Sequence, residues 1–362
     1  MANDIRAMVQ TAPNELQLQS FPRPQTGSDD GLLRIEACGM CGTDVETLAG
    51  DGPALTLPLI PGHEPVGIIE EIGHRAAKRW GLEVGDRVVL QSDFGCGRCS
   101  GCLDHQFCKV APGNYGFMPT SVVPALWGGY AEMMYLAPGA IPHKISSDID
   151  PRVAALYNPL GAGFAWAVAA PKLGYGDSIA ILGPGQRGLA CVIAAKAAGA
   201  GQIFITGLGS RDETKMALAK EFGADVVIDI EAEDAIARIA AETGGRGVDV
   251  VVDTTPYATQ PVIDSIHMAC LGGTIVLAGL KGRGGGIPDF PSDEIIMRYQ
   301  TVKGVRSVDY NSFQLAVKLI ESATLPVEKM HTHHFPMESA AEAVRSLAGS
   351  DSAPAISITI EP

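Results

Sequence analysis

The chain has no uninterrupted run of about eighteen apolar residues, so no segment reads as a membrane-spanning helix. It has no excess of positive charge: 27 Lys and Arg face 41 Asp and Glu, giving a formal net charge of −14. Without a basic face it lacks the electrostatic footprint of a nucleic-acid binder. Charged residues make up only 19% against 46% hydrophobic, which argues against disorder and allows a sizeable core. The opening Met1-Ala2-Asn3-Asp4-Ile5-Arg6 lacks the apolar stretch of a signal peptide. No repeat and no low-complexity tract is present. These absences point to a cytoplasmic globular protein with reduced thiols, long enough for two domains.

What is present changes texture along the chain. Up to about residue 155, short apolar runs such as Gly31–Ala37 and Gly85–Leu90 are broken by Gly, Pro and Asp, the pattern of an irregular β-rich domain. From about 156 to 304, strand-like Ser178–Leu182, Gln202–Thr206, Asp225–Ile230, Val248–Asp253 and Gly273–Ala278 are spaced by helical stretches at Gly188–Ala198 and Thr214–Phe222. That alternation predicts an α/β fold with a parallel sheet. From about 305 to 362, one helix over Asn311–Ser322 and a strand-like Ala355–Ile360 are expected to complete the first domain.

Gly183-Pro184-Gly185-Gln186-Arg187-Gly188 fits G-x-G-x-x-G between a buried strand and an alanine-rich helix. The first glycine permits the turn, the second lets a pyrophosphate reach the backbone, and the third lets helix and strand pack. A dinucleotide site is therefore expected. NAD sites carry an acid at the end of the second strand to bind the ribose hydroxyls. Here that place holds Gly207, followed by Leu208, Gly209, Ser210 and Arg211. There a small turn offers backbone amides, a hydroxyl and a guanidinium, which suit a 2′-phosphate, so NADP is favoured over NAD. The alternative leaves Arg211 solvated and gives the ribose to Asp212.

Cys96, Cys99, Cys102 and Cys108 form C-x2-C-x2-C-x5-C, half of the eight cysteines within thirteen residues. Reduced thiolates at this spacing select zinc, and four of them leave no open position, so the site reads as structural. An iron–sulfur cluster uses similar spacing, but Lys109 stands where its usual proline would follow. Cys41, His63 and Glu64 supply the three usual zinc ligand types in Cys38-Gly39-Met40-Cys41-Gly42-Thr43-Asp44 and Pro61-Gly62-His63-Glu64. A site of so few protein ligands keeps room for a substrate. Each residue also has a plain reading: a buried thiol, a turn histidine, a solvated charge.

Taken in order, C-G-x-x-C-G-T-D, P-G-H-E-x-x-G, the four-cysteine loop, Gly128-Gly129-Tyr130-Ala131-Glu132 and the glycine loop resemble the medium-chain zinc-dependent alcohol dehydrogenases, near their sorbitol and threonine dehydrogenase branch. The resemblance spans essentially the whole chain. It implies a GroES-like catalytic domain, a Rossmann domain, a cleft between them and a homodimer or homotetramer. It also implies that Cys41, His63 and Glu64 hold a catalytic zinc, that Thr43 passes the substrate proton, and that the cysteine loop holds a structural zinc. The expected reaction moves a hydride between NADP(H) and an alcohol or carbonyl compound whose oxygen the zinc polarises.

Three departures from the family pattern stand out. The last two loop cysteines are closer than usual. Asn158, in Tyr157-Asn158-Pro159-Leu160, replaces a glutamate near the metal. Glu46 replaces a histidine that extends the proton relay. A zinc-independent reductase on the same scaffold, or a non-catalytic zinc-braced protein, would also fit these changes. Cys38 could substitute as a thiolate or be a small core residue. Leu48, Phe94, Tyr115, Phe117 and Trp127 lie where relatives line the cleft, which would suit an apolar or aromatic substrate.

Overall fold

The computed structural model describes residues 4–50, 55–103, 108–110, 113–282, 286–349 and 355–362. The chain divides into two units, Met1–Asn158 with Met330–Pro362, and Pro159–Lys329.

The first unit is built on a seven-stranded sheet. Its spatial order is His331–Pro336, Ser357–Glu361, Gly31–Met40, Glu64–Ile72, Arg87–Leu90 and Pro142–Lys144, with Met133–Leu136 also pairing with Gly31–Met40. The long strand Gly31–Met40 serves two cores. Leu33 and Ile35 pack with Tyr115, Trp127 and Met134, whereas Cys38 and Met40 pack with Tyr130, Met337 and Ile358. A register shift between Ile35 and Ala37 separates the two sets and re-aims the strand's end. That end opens directly into the helix Gly42–Ala49.

The second unit carries six parallel strands in the order Val226–Asp229, Gln202–Gly207, Ser178–Leu182, Val248–Asp253, Ala269–Leu277 and Thr301–Gly304. This is the Rossmann order, and its chain reversal falls between Ser178–Leu182 and Val248–Asp253. The run Ser178–Leu182 is buried throughout, as expected for a parallel strand covered on both faces. The unit runs on to Lys329, beyond the change of texture near residue 305. Phe313 on the helix Tyr310–Ser322 lies against Gly161, and Trp166 Nε1 donates to the Ser307 carbonyl at 3.2 Å. The strand Thr301–Gly304 is exposed along its length, near the exposed Ile296, Met297 and Tyr299. No helix among the described residues is long and apolar enough to cross a membrane.

His143, paired opposite Val89, is 1% exposed, and burial lowers its pKa to about 4. The unfolded chain therefore binds this proton first as pH falls. Stability is complete above about pH 6.5 and is lost from there toward pH 4, by about 3 kcal/mol for this group. Thermal melts at about pH 7 and about pH 4.5 should show a smaller fall for His143→Gln than for wild type; equal falls would remove His143 as a cause.

Candidate active site

Strand pairing assembles the first donor cluster. Gly39 is registered opposite Glu64, so Cys41, just past one strand, meets His63, just before the other. Cys41 Sγ lies 3.3 Å from His63 Nε2, and Glu64 Oε1 lies 3.8 Å from the same nitrogen. Cys41, His63 and Glu64 are all buried. A tetrahedral zinc with ordinary Zn–S and Zn–N bonds would separate its donors by about 3.5 Å. The thiol–imidazole and carboxylate–imidazole spacings are each of the size such a metal would impose. Glu64 can come this close only because residue 39 is glycine: a Cβ there would sit 2.6 Å from Glu64 Oε2.

Sequence reasoning missed Asp44. Its Oδ1 lies 3.5 Å from His63 Nδ1, and its Oδ2 accepts from the Cys41 backbone N–H at 2.9 Å. Cys41, Asp44 and His63 form one of two groups of potential metal donors found among the described residues. Asp44 faces Nδ1, whereas the thiol and Glu64 face Nε2, so the carboxylate orients the ring from behind. The signal was present: an acid three residues after the residue that precedes a helix is the spacing of a capping box. Burial opposes the charged form of His63, but Asp44 and Cys41 outweigh it and hold its pKa well above the usual value.

The second group is Cys96, Cys99, Cys102 and Cys108, with all four sulfurs within 4.8 Å of one another. Cys99 Sγ is 3.6 Å from Cys102 Sγ and 3.8 Å from Cys108 Sγ. Those separations exclude a disulfide between these pairs and match the edge of about 3.8 Å expected for a zinc–thiolate tetrahedron. The residues 104–107 of the loop lie outside the described ones. Gly95 seats the lobe, since a Cβ there would meet Cys108 Cβ at 2.5 Å.

The glycine loop has the form the dinucleotide reading requires. Gly183 has φ +93°, in the left-handed region. A Cβ on Gly188 would lie 1.9 Å from the Gly183 carbonyl, whereas at Gly185 it would meet nothing within 4 Å. The space over Gly185 is where a pyrophosphate would approach, at the N-terminus of the helix Gln186–Ala198. Pro184 covers Gly207, and Arg187 stacks 5.8 Å from the Trp166 ring.

At the second strand end the expectation needs correcting. Gly209, Ser210 and Arg211 are not a separate turn but the first turn of the helix Gly209–Glu221. Their donors are already engaged. Gly209 N–H donates to Asp229 Oδ1 at 2.9 Å, and Ser210 gives its N–H and hydroxyl to the Glu231 carboxylate at 2.8 and 2.9 Å. The Arg211 side chain is 71% exposed. Asp212 is buried and paired with Lys215 at 3.1 Å.

Other expected residues scatter. Thr43 and Glu46 lie three apart on Gly42–Ala49, both half-buried. Asn158 is buried at the start of the helix Tyr157–Gly163. Cys38 is a core residue whose thiol points to the Gly39 carbonyl, and burial raises its pKa well above normal. Leu48, Tyr115 and Trp127 are buried in the cores, and Phe94 packs against the cluster that holds Tyr115 and Trp127. Phe117 faces the cluster, its ring centroid 5.1 Å from that of His63, and Leu48 lines a small cavity together with Asp44 and Phe117.

A Rossmann sheet with its glycine loop, in one chain with two thiol-bearing donor groups, defines a zinc-binding nicotinamide-dependent dehydrogenase. Residues 27–146 match the alcohol dehydrogenase GroES-like domain, and residues 188–322 match the zinc-binding dehydrogenase family. A Mycobacterium tuberculosis protein described as a probable alcohol dehydrogenase is 40% identical, over 99% of this chain and 98% of that protein. Sorbitol dehydrogenase of Bacillus subtilis is 29% identical, over 94% and 93%. A zinc-binding dehydrogenase structure from Sinorhizobium meliloti, bound to NADP, superposes with a TM-score of 0.87 at 26% identity, covering 99% of this chain and 100% of that one. The chain belongs to the medium-chain zinc-dependent alcohol dehydrogenase family. It is accordingly a zinc-dependent alcohol oxidoreductase that uses a nicotinamide cofactor.

Freshly purified protein should carry two zinc ions per chain by elemental analysis, as two donor groups are present. Cys41→Ser and Cys102→Ser should each lose one. A single zinc, unchanged by Cys41→Ser, would leave the cysteine lobe alone filled.

Proposed function

We propose that the chain interconverts an alcohol and its carbonyl compound with NADP(H), using Cys41, His63 Nε2 and Glu64 as the ligands of a catalytic zinc and Cys96, Cys99, Cys102 and Cys108 as those of a structural zinc. The observation that carries this reading is the convergence of Cys41 and Glu64 on one nitrogen of His63, with Asp44 behind the ring. Bound zinc supplies the positive charge that acidifies an alcohol. Thr43, two residues beyond Cys41, accepts the hydroxyl proton. Glu46, on the same helical face, carries it toward solvent. A nicotinamide held at the glycine loop would supply the hydride acceptor, which together with the proton path would account for the two electrons and two hydrogens an alcohol loses. Phe117 beside His63 favours an apolar or aromatic substituent over a polyol. Asn158, a neutral amide in place of a carboxylate, adds no negative charge to the ligand set. No disulfide joins the cysteines among the described residues, which suits a reducing cytoplasm.

Turnover should appear when alcohols and ketones are screened with NADP and its reduced form. Thr43→Ala should cut kcat about 100-fold while keeping both zinc ions. A variant with two zincs and unchanged kcat would exclude Thr43 from the proton path. Turnover that survives Cys41→Ser would instead favour metal-free reduction.

NADP is proposed on two grounds: Gly207 carries no acid, and Arg211 offers an exposed guanidinium at the same helix end. A 2′-phosphate must take Ser210 from Glu231. Arg211→Ala should weaken NADPH binding about tenfold in fluorescence titration and leave NADH unchanged. Equal effects on both would return the choice to NAD.

A further inference from the structure

A buried ion pair lies at the carboxyl ends of the Rossmann strands, where ligands of such sheets bind. Asp253 ends Val248–Asp253 and is fully buried. Its Oδ1 accepts from the Thr255 N–H at 3.0 Å and the Thr255 hydroxyl at 2.6 Å. Its Oδ2 pairs with Lys281 Nζ at 2.6 Å. The same ammonium donates to the Thr255 carbonyl at 2.5 Å and its hydroxyl at 3.0 Å.

This network reaches the glycine loop. The Thr254 hydroxyl donates to the Leu182 and Gly183 carbonyls at 2.8 and 3.2 Å. A Cβ on Gly183 would meet the Thr255 methyl at 2.8 Å. Lys281 comes from the connection after Ala269–Leu277, whose Gly279 N–H donates to the Asp253 carbonyl at 3.0 Å. One side chain thus ties two strand-end connections together beneath the loop that faces the pyrophosphate. It also cancels a carboxylate charge buried near an anionic ligand.

We infer that Lys281 is a positioning residue of the dinucleotide site, holding Thr254 and Thr255 under Gly183 and neutralising Asp253. The inference rests on the dinucleotide reading of the glycine loop. Without the ammonium, Asp253 is an unpaired buried charge that strains this segment and repels the diphosphate. With both charges removed, the repulsion goes.

The test is equilibrium fluorescence titration of NADPH and NADH against wild type, Lys281→Met, Lys281→Arg, Asp253→Asn and the Lys281→Met/Asp253→Asn double variant, with melting temperature and zinc content measured alongside. Lys281→Met should weaken both cofactors about tenfold or more, with zinc content unchanged. Lys281→Arg should bind within about threefold of wild type, and the double variant should bind more tightly than Lys281→Met. Wild-type affinity in Lys281→Met, or a double variant no better than the single, would overturn the inference. If Lys281→Met does not fold, Lys281→Arg and the double variant decide: a tenfold loss in both would overturn it. Wild type that binds neither cofactor would defeat the dinucleotide reading itself.

Discussion

The register of two antiparallel strands is the constraint on which the candidate active site depends. Gly39 opposite Glu64 leaves Cys41 and His63 at adjoining strand ends, although 22 residues separate them in sequence. A one-residue slip would turn every side chain of one strand to the other face. The register is held by apolar packing on both sides of Gly31–Met40 and by the missing side chain at residue 39. The helix that follows then adds Asp44 behind His63 and presents Thr43 and Glu46 on one face. The donor set follows from the sheet and needs no separate loop to create it.

The cysteine lobe follows a different rule. Its donors come from one short stretch, and its geometry is set by close spacing around Gly95. Such a lobe has little apolar material of its own. Metal–thiolate bonds can supply the cohesion that side-chain packing supplies elsewhere in the first unit.

Much of this was legible in the sequence because the strongest signals are local. Ser178–Leu182 and Val248–Asp253 appear with the bounds read from their apolar runs. The glycine loop and the four cysteines carry their chemistry in spacing alone. What failed depended on tertiary contacts. Tyr115 and Trp127 look like pocket walls in a linear reading, but a large apolar side chain serves a core equally well. Asp44 looked like part of a motif until the fold set it against His63. Lys281 carries no motif at all: its partners, Asp253 and Thr255, come from another strand's end. The helix start at Gly209 was missed because glycine, serine and arginine read as a turn, whereas acids from the next connection cap that end.

Those acids change what cofactor binding means at this helix. The amides of Gly209 and Ser210 do not wait bare in water; carboxylates of the same chain already satisfy them. On the proposed NADP reading, a phosphate arriving here would replace one anion with another. Binding would then be an exchange of partners, with Glu231 released to solvent as the ligand enters. The helix end would keep an anion in either state. Selectivity then reflects the difference between a tethered carboxylate and a free phosphate, not the absolute pull of the site.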